Sequence, residues 1–302
     1  MWLILAFLSA ALLGCYDSFK KQALRANAVI PVLFLNTLFS SLIFQPCILL
    51  GECLEGTIFH TASGGWEMHK YIVLKACIVL SSWILGYFGM KHLPLTIVGP
   101  INATRPVMVL VGALLVFGER LNVWQWVGVL LAVASFLMLS RSGKKEGIDF
   151  KHDHWIYMVI GSAALGAVSG LYDKYLMAPV ESGGVGLDRM MVQSWYNIYQ
   201  CLMMGAMLML LWWPKHKSTT PFHWSWSILG VSVFLSAADF MYFYSLSLPE
   251  AMISIVSMIR RGSVIVSFMF GALFFHEKNL RAKAVDLALV LLGMVFLYIG
   301  SH

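Results

Sequence analysis

Ten stretches of apolar residues divide this chain, each close to the roughly 20 that an α-helix needs to cross a bilayer. They run over about 2–19, 29–50, 71–90, 93–117, 123–140, 155–177, 191–213, 224–246, 248–275 and 282–300. In hydrocarbon the backbone must satisfy its own hydrogen bonds, so such a chain folds as a bundle of helices. The longest connectors, 51–70, 141–154 and 178–190, are too short for a soluble domain. Only 12% of the 302 residues are charged, too few to clothe a soluble protein of this size. The net charge of +6 would suit nucleic acid, but its Lys and Arg are scattered over many connectors. In a membrane protein that pattern records orientation. The expected surroundings are therefore a lipid bilayer, with no nucleic-acid partner.

The first segment, MWLILAFLSAALLGC, ends in a sequence similar to a lipoprotein cleavage box. No Lys or Arg precedes the apolar run, so it reads as a retained first transmembrane helix. Five cysteines without a CxxC suggest neither a disulfide framework nor a zinc site. His152 and His154 lack a third ligand, and no metal or cofactor is expected. HExxH, P-loop, nucleophile-elbow and dinucleotide motifs are not found, so the chain does not read as an enzyme.

The two halves resemble each other. Ser9-Ala10-Ala11-Leu12 recurs as Ser162-Ala163-Ala164-Leu165, Lys21 falls on Lys174, and Leu93-Pro94 recurs as Leu248-Pro249. Arg105 falls near Arg260 and Arg261. Gly112-Ala113-Leu114 recurs as Gly271-Ala272-Leu273, followed by Glu119 and Glu277. Offsets of 153 to 159 in constant order define a repeat. Five helices per half is an odd number, so the second half enters the bilayer from the opposite side. The expected units are 1–140 and 155–302, joined by the polar linker 141–154.

These features resemble the EamA type of the drug/metabolite transporter superfamily. The resemblance rests on Gly118-Glu119-Arg120 and His276-Glu277-Lys278 between apolar helices, with Pro94 and Pro249 opening the helix before. It implies an all-α integral membrane protein of ten transmembrane helices. They would form two inverted five-helix repeats (5+5) around a central cavity that passes a small metabolite. The second copy departs from the pattern at His276, where glycine is expected.

Ionisable residues in lipid cost several kcal/mol and usually face protein or a water-filled cavity. Asp17 and Lys21, spaced i, i+4, read as an ion pair anchoring the end of the first helix. Asp173 and Lys174 read the same way on the sixth. Lys75 reads as snorkelling to the interface. Asp286 suits a helix N-terminus, and Glu119 and Glu277 read as caps. Gly166 and Gly170 form a GxxxG that reads as close helix packing.

Asp239 lies well inside the eighth helix, facing either a structural partner or the cavity. On the ninth, Glu250, Ser254, Ser257 and Arg261 form one polar stripe, with Arg260 beside it. Arginine cannot be neutralised, so two adjacent ones need carboxylate, phosphate or water. The pair resembles the adjacent basic residues of plastid-type sugar-phosphate translocators. Arg105, with Asn102 one turn before it, sits among Pro100 and Pro106, an interrupted helix beside a charge. Asn197, with Gln193 and Gln200, faces either the cavity or a neighbouring helix.

The candidate substrate-binding residues are thus Arg105, Arg260, Arg261, Asp239, Asn102, Asn197 and Ser257. The expected activity is secondary-active transport of a small polar substrate, anionic or zwitterionic, across a cell membrane by alternating access. A lipid flippase of the same fold or a multi-pass membrane enzyme are the alternatives. Odd connectors carry thirteen Lys and Arg, even ones four, which places the odd connectors in the cytoplasm. The family resemblance points to the other orientation, with both termini inside.

Overall fold

A computed structural model describes residues 2–51, 53–62, 64–105, 107–108, 122–144, 152–177, 179–246, 256, 259–274 and 280–300. These residues are mostly helical, with no strand among them. The α-helices are α1 (Trp2–Leu24), α2 (Val29–Leu49), α3 (Trp66–His92), α4 (Leu95–Ala103) and α5 (Val123–Lys144). They continue as α6 (His154–Met177), α7 (Arg189–Met207), α8 (Trp226–Leu246), α9 (Ser263–Leu273) and α10 (Leu280–Gly300). Five have the length and apolar character to cross a membrane: α1, α2, α3, α6 and most of α8. Beyond α7 the chain widens into a π-helical turn, Leu208–Trp212, and tightens into a 3₁₀ turn, Trp213–Lys215. Pro214 explains the change, because it has no N–H and crowds the carbonyl four residues back.

Packing runs mainly between the two halves of the chain. Helices α1 and α8 lie antiparallel: Ser245 Oγ donates to the Trp2 carbonyl, Ser9 Oγ to that of Ala238, and Phe19 stacks on Phe234. Helices α3 and α6 repeat that arrangement. Ser82 Oγ donates to the Ser162 carbonyl at 2.8 Å, and a Cβ at Gly89 would come within 2.3 Å of Val159. Ser9 and Ser162 are repeat-related, so each half offers the same position to the other. Helix α2 packs on α7, with Phe34 near Gly205 and Phe44 near Met190. Helix α5 packs on α10 through Trp124 and Phe296, and α4 on α9 through Gly99 and Val264.

The connectors sort onto two faces. Asn27 exchanges hydrogen bonds with the His223 backbone, Lys91 reaches Thr220 at 3.0 Å, and His92 stacks on Trp155. These contacts bring the first, third, fifth and seventh connectors together. On the opposite face Arg189 donates to the Ile58 carbonyl, joining the second connector to the sixth. The start of α1 lies on that second face, beside the end of α8.

Candidate functional site

A cavity of about 160 Å³ lies between α1, α3, α6 and α8, closed by residues before α9, after α4 and on α7. Among the described residues its wall carries five cations, Lys20, Lys75, Arg105, Arg260 and Arg261, against three carboxylates, Asp17, Asp173 and Asp239. They fall into two tiers along the helix axes.

In one tier every charge has a direct partner. Lys75 on α3 is bonded to the Asp173 carboxylate on α6, and both are buried. The Lys75 ammonium also sits 5.2 Å from the Tyr196 ring centre and 5.3 Å from that of Phe243. Arg260 is bonded to the Asp239 carboxylate on α8 and lies 4.1 Å above the Tyr242 ring. Asp239 also accepts from the Tyr196 hydroxyl at 3.0 Å. Removing one member of such a buried pair strands the other charge, which is why these contacts stay closed.

The other tier is looser. Asp17 accepts from Ser267 Oγ at 3.1 Å and stands 4.0 Å from Lys20 Nζ. The Lys20 ammonium is held over the rings of Tyr16 and Tyr87, at 5.0 and 4.5 Å. Arg105 donates to Asn102 Oδ1 at 3.2 Å, and its buried Nε has no partner among the described residues. Its guanidinium lies flat on α6 at Gly166, where a Cβ would come within 2.7 Å of it. Arg261 forms no hydrogen bond or ion pair among the described residues. Both arginines sit at helix breaks. Helix α4 ends at Ala103, with a turn at Thr104 just before Arg105. Gly262 separates Arg261 from α9 by a similar turn.

Of the residues expected at a site, Asn102, Arg105, Asp239, Arg260 and Arg261 line this cavity together. Asn197 is buried on α7, bonded to the Gln193 carbonyl of its own helix, and does not line it. Ser257, Ser254, Glu250, Glu119 and Glu277 lie outside the described residues, as do the side chains of Lys174 and Asp286.

Several expectations need correction. Asp17 does not anchor a helix end beside Lys21; it faces the cavity near Lys20, because α1 continues to Leu24. Lys21 instead donates to the carbonyls of Met90 and Leu93, capping the end of α3. Lys75 does not snorkel and Asp173 does not anchor, since each is the other's buried partner. Lys20, counted among the connector charges, is buried in the cavity wall. Gly166 does not simply let helices approach, for it makes room for Arg105. Of the two alternatives for Asp239 both hold, for it pairs with Arg260 and also lines the cavity.

A signal for the missed pair exists in the sequence. Neither Lys75 nor Asp173 has an opposite charge three or four residues away on its own helix. Each therefore has to look to another helix.

Long apolar helices and a charge-lined internal cavity define a multi-pass membrane protein. Residues 1–141 match the EamA-like transporter family. An "uncharacterized transporter in cobO 3'region" of Sinorhizobium sp is 27% identical over 147 residues, which is 46% of this chain and 96% of that protein. A solved crystal structure, described only as that of a protein, superposes over 99% of this chain and 98% of its own, with a TM-score of 0.62 and 13% identity. At that identity it shows a shared fold alone. The family match covers just under half of the chain, and with the Sinorhizobium relative it makes that half similar to EamA-like transporters.

Proposed function

We propose that the chain moves a small polar metabolite, anionic or zwitterionic, across a cell membrane, the inner or plasma membrane, by alternating access between two inverted five-helix halves. The substrate carries a carboxylate or phosphate; amino acids and organic anions both qualify. The observation that carries this reading is the charge imbalance in the cavity. Asp173 and Asp239 are taken by Lys75 and Arg260. Among the described residues, Lys20, Arg105 and Arg261 then face Asp17 alone. A planar guanidinium with free donors matches the two oxygens of a carboxylate or phosphate.

The 5+5 arrangement, with units 1–140 and 155–302 and ten spans, is supported by three observations. The main contacts between the halves are preserved when each helix is replaced by its repeat partner: α1 with α8 becomes α6 with α3. Both of those contacts are antiparallel, as an axis in the membrane plane requires. The Sinorhizobium relative is also matched almost end to end by less than half of this chain.

The test is flux in liposomes with labelled carboxylates and phosphates, beside a labelled lipid. Arg261→Gln should stay folded in detergent and lose about 1.5–3 kcal/mol of anion binding, the scale of a charged hydrogen bond. Unchanged transport of every anion by a stable variant refutes the anion reading. Movement of lipid in place of soluble anions would favour a flippase.

A further inference from the structure

A second polar cluster lies outside the cavity, where α2 meets α7 and α8. Asn36 and Ser40 on α2 and Gln193 and Gln200 on α7 are each at most 1% exposed. Among the described residues their amide and hydroxyl groups have no hydrogen-bond partner, and Ser236 Oγ on α8 has none either. None of them lines the cavity. An unpaired buried amide costs on the scale of a lost hydrogen bond, so helix packing alone is a poor reason to keep three of them at one contact.

The cluster follows the repeat. At an offset of 157, within the range of the other matches, Asn36 falls on Gln193, Thr37 on Ser194 and Ser40 on Asn197. Both stripes lie on the stretch of α2 and α7 bounded by the contacts of Phe34 with Gly205 and of Phe44 with Met190. Two like polar stripes thus cross where α2 meets its own repeat partner. One residue joins this seam to the cavity. Tyr196 lies one turn from both Gln193 and Gln200, faces the cavity, and donates to Asp239.

We propose that the α2–α7 seam is a second, water-admitting route to the cavity, closed in this conformation and hydrated in the alternate one, with the Tyr196–Asp239 bond as its inner gate. This rests on the alternating-access reading above. Unpaired amides oppose the closed state and gain partners from water when the helices part. The two conformations are thereby brought closer in free energy than an apolar seam would allow.

The experiment is thiol labelling in liposomes, in a chain whose five native cysteines are replaced by alanine. The probe is methanethiosulfonate ethylammonium, which reacts with a thiol only where water reaches it. Ser40→Cys is compared with Val32→Cys, a site on the same helix that is also fully buried. The proposal expects the Ser40→Cys thiol to react at least tenfold faster. Equal or slower labelling overturns it and leaves the seam as helix packing. If Ser40→Cys does not fold, Ser236→Cys makes the same comparison on α8. Labelling needs no substrate, so this result stands apart from the anion reading.

Discussion

The two tiers of the cavity use the same residue types to opposite ends. In the tier of Lys75–Asp173 and Arg260–Asp239, each acid is in direct contact with a base on another helix. In the other, Lys20, Arg105 and Arg261 share Asp17 at a distance or not at all. Arg260 and Arg261 are neighbours in sequence, yet they belong to different tiers. A permanent charge inside a membrane protein is thus not by itself a sign of ligand binding; its nearest acid decides. The closed tier links α3 to α6, and α8 to the segment before α9. The open tier is left with charge to spare.

The largest effect that would break this comparison is expected at Lys75. Lys75→Met strands the Asp173 carboxylate in the protein interior and should cost about 3–5 kcal/mol of stability. The double variant Lys75→Met with Asp173→Leu should recover most of that, read as thermal unfolding in detergent. Equal losses in the single and double variants would mean that the pair is not a unit. The next effect sharpens the contrast between adjacent arginines. Arg260→Gln should destabilise by roughly 3 kcal/mol by leaving Asp239 without its cation. Arg261→Gln should change stability by less than about 1 kcal/mol, because it breaks no ion pair. Similar melting losses for both would erase the distinction between tiers. The smallest effect is at Gly166. Gly166→Ala pushes the Arg105 guanidinium off α6, a flexible side chain that can move aside. Anion binding should weaken roughly tenfold, about 1.4 kcal/mol, with melting little changed. Unaltered binding would remove Arg105 from the open tier.

Much of this molecule was legible in its sequence, for reasons specific to membranes. Helical segments stand out because lipid punishes polar stretches, and the repeat stands out because related positions keep their order. Arg105, Arg260 and Arg261 stood out because an arginine keeps its charge and none of the three has an acid within four residues in sequence. What the sequence hid was rotation. Lys75 lies one turn inside its apolar run, a depth that suits either an interfacial side chain or a buried one. Only the antiparallel packing of α3 on α6 turns it toward Asp173. Helix ends drawn at hydropathy edges misled in a similar way. Helix α1 runs five residues beyond its expected end, which carries Asp17 inward. The end of α6 is covered by the following loop, where Val185 and Leu187 donate to the carbonyls of Tyr175 and Leu176. That cover keeps Asp173 from water four residues before its helix ends.

The Lys75–Asp173 contact also constrains how the protein is made. The two residues are 98 positions apart, on opposite sides of the linker. At synthesis rates of roughly 5–20 residues per second, the lysine is made about 5–20 s before its acid. During that interval α3 holds an ammonium that the finished protein will enclose, with its counter-charge still to be synthesised. Its flexible stem can carry the charge to the headgroups meanwhile. Arg260, by contrast, follows Asp239 by 21 residues and meets an acid that is already present. The finished contact thus depends on α6, and the first half alone holds no partner for Lys75 comparable to Asp173 among the described residues.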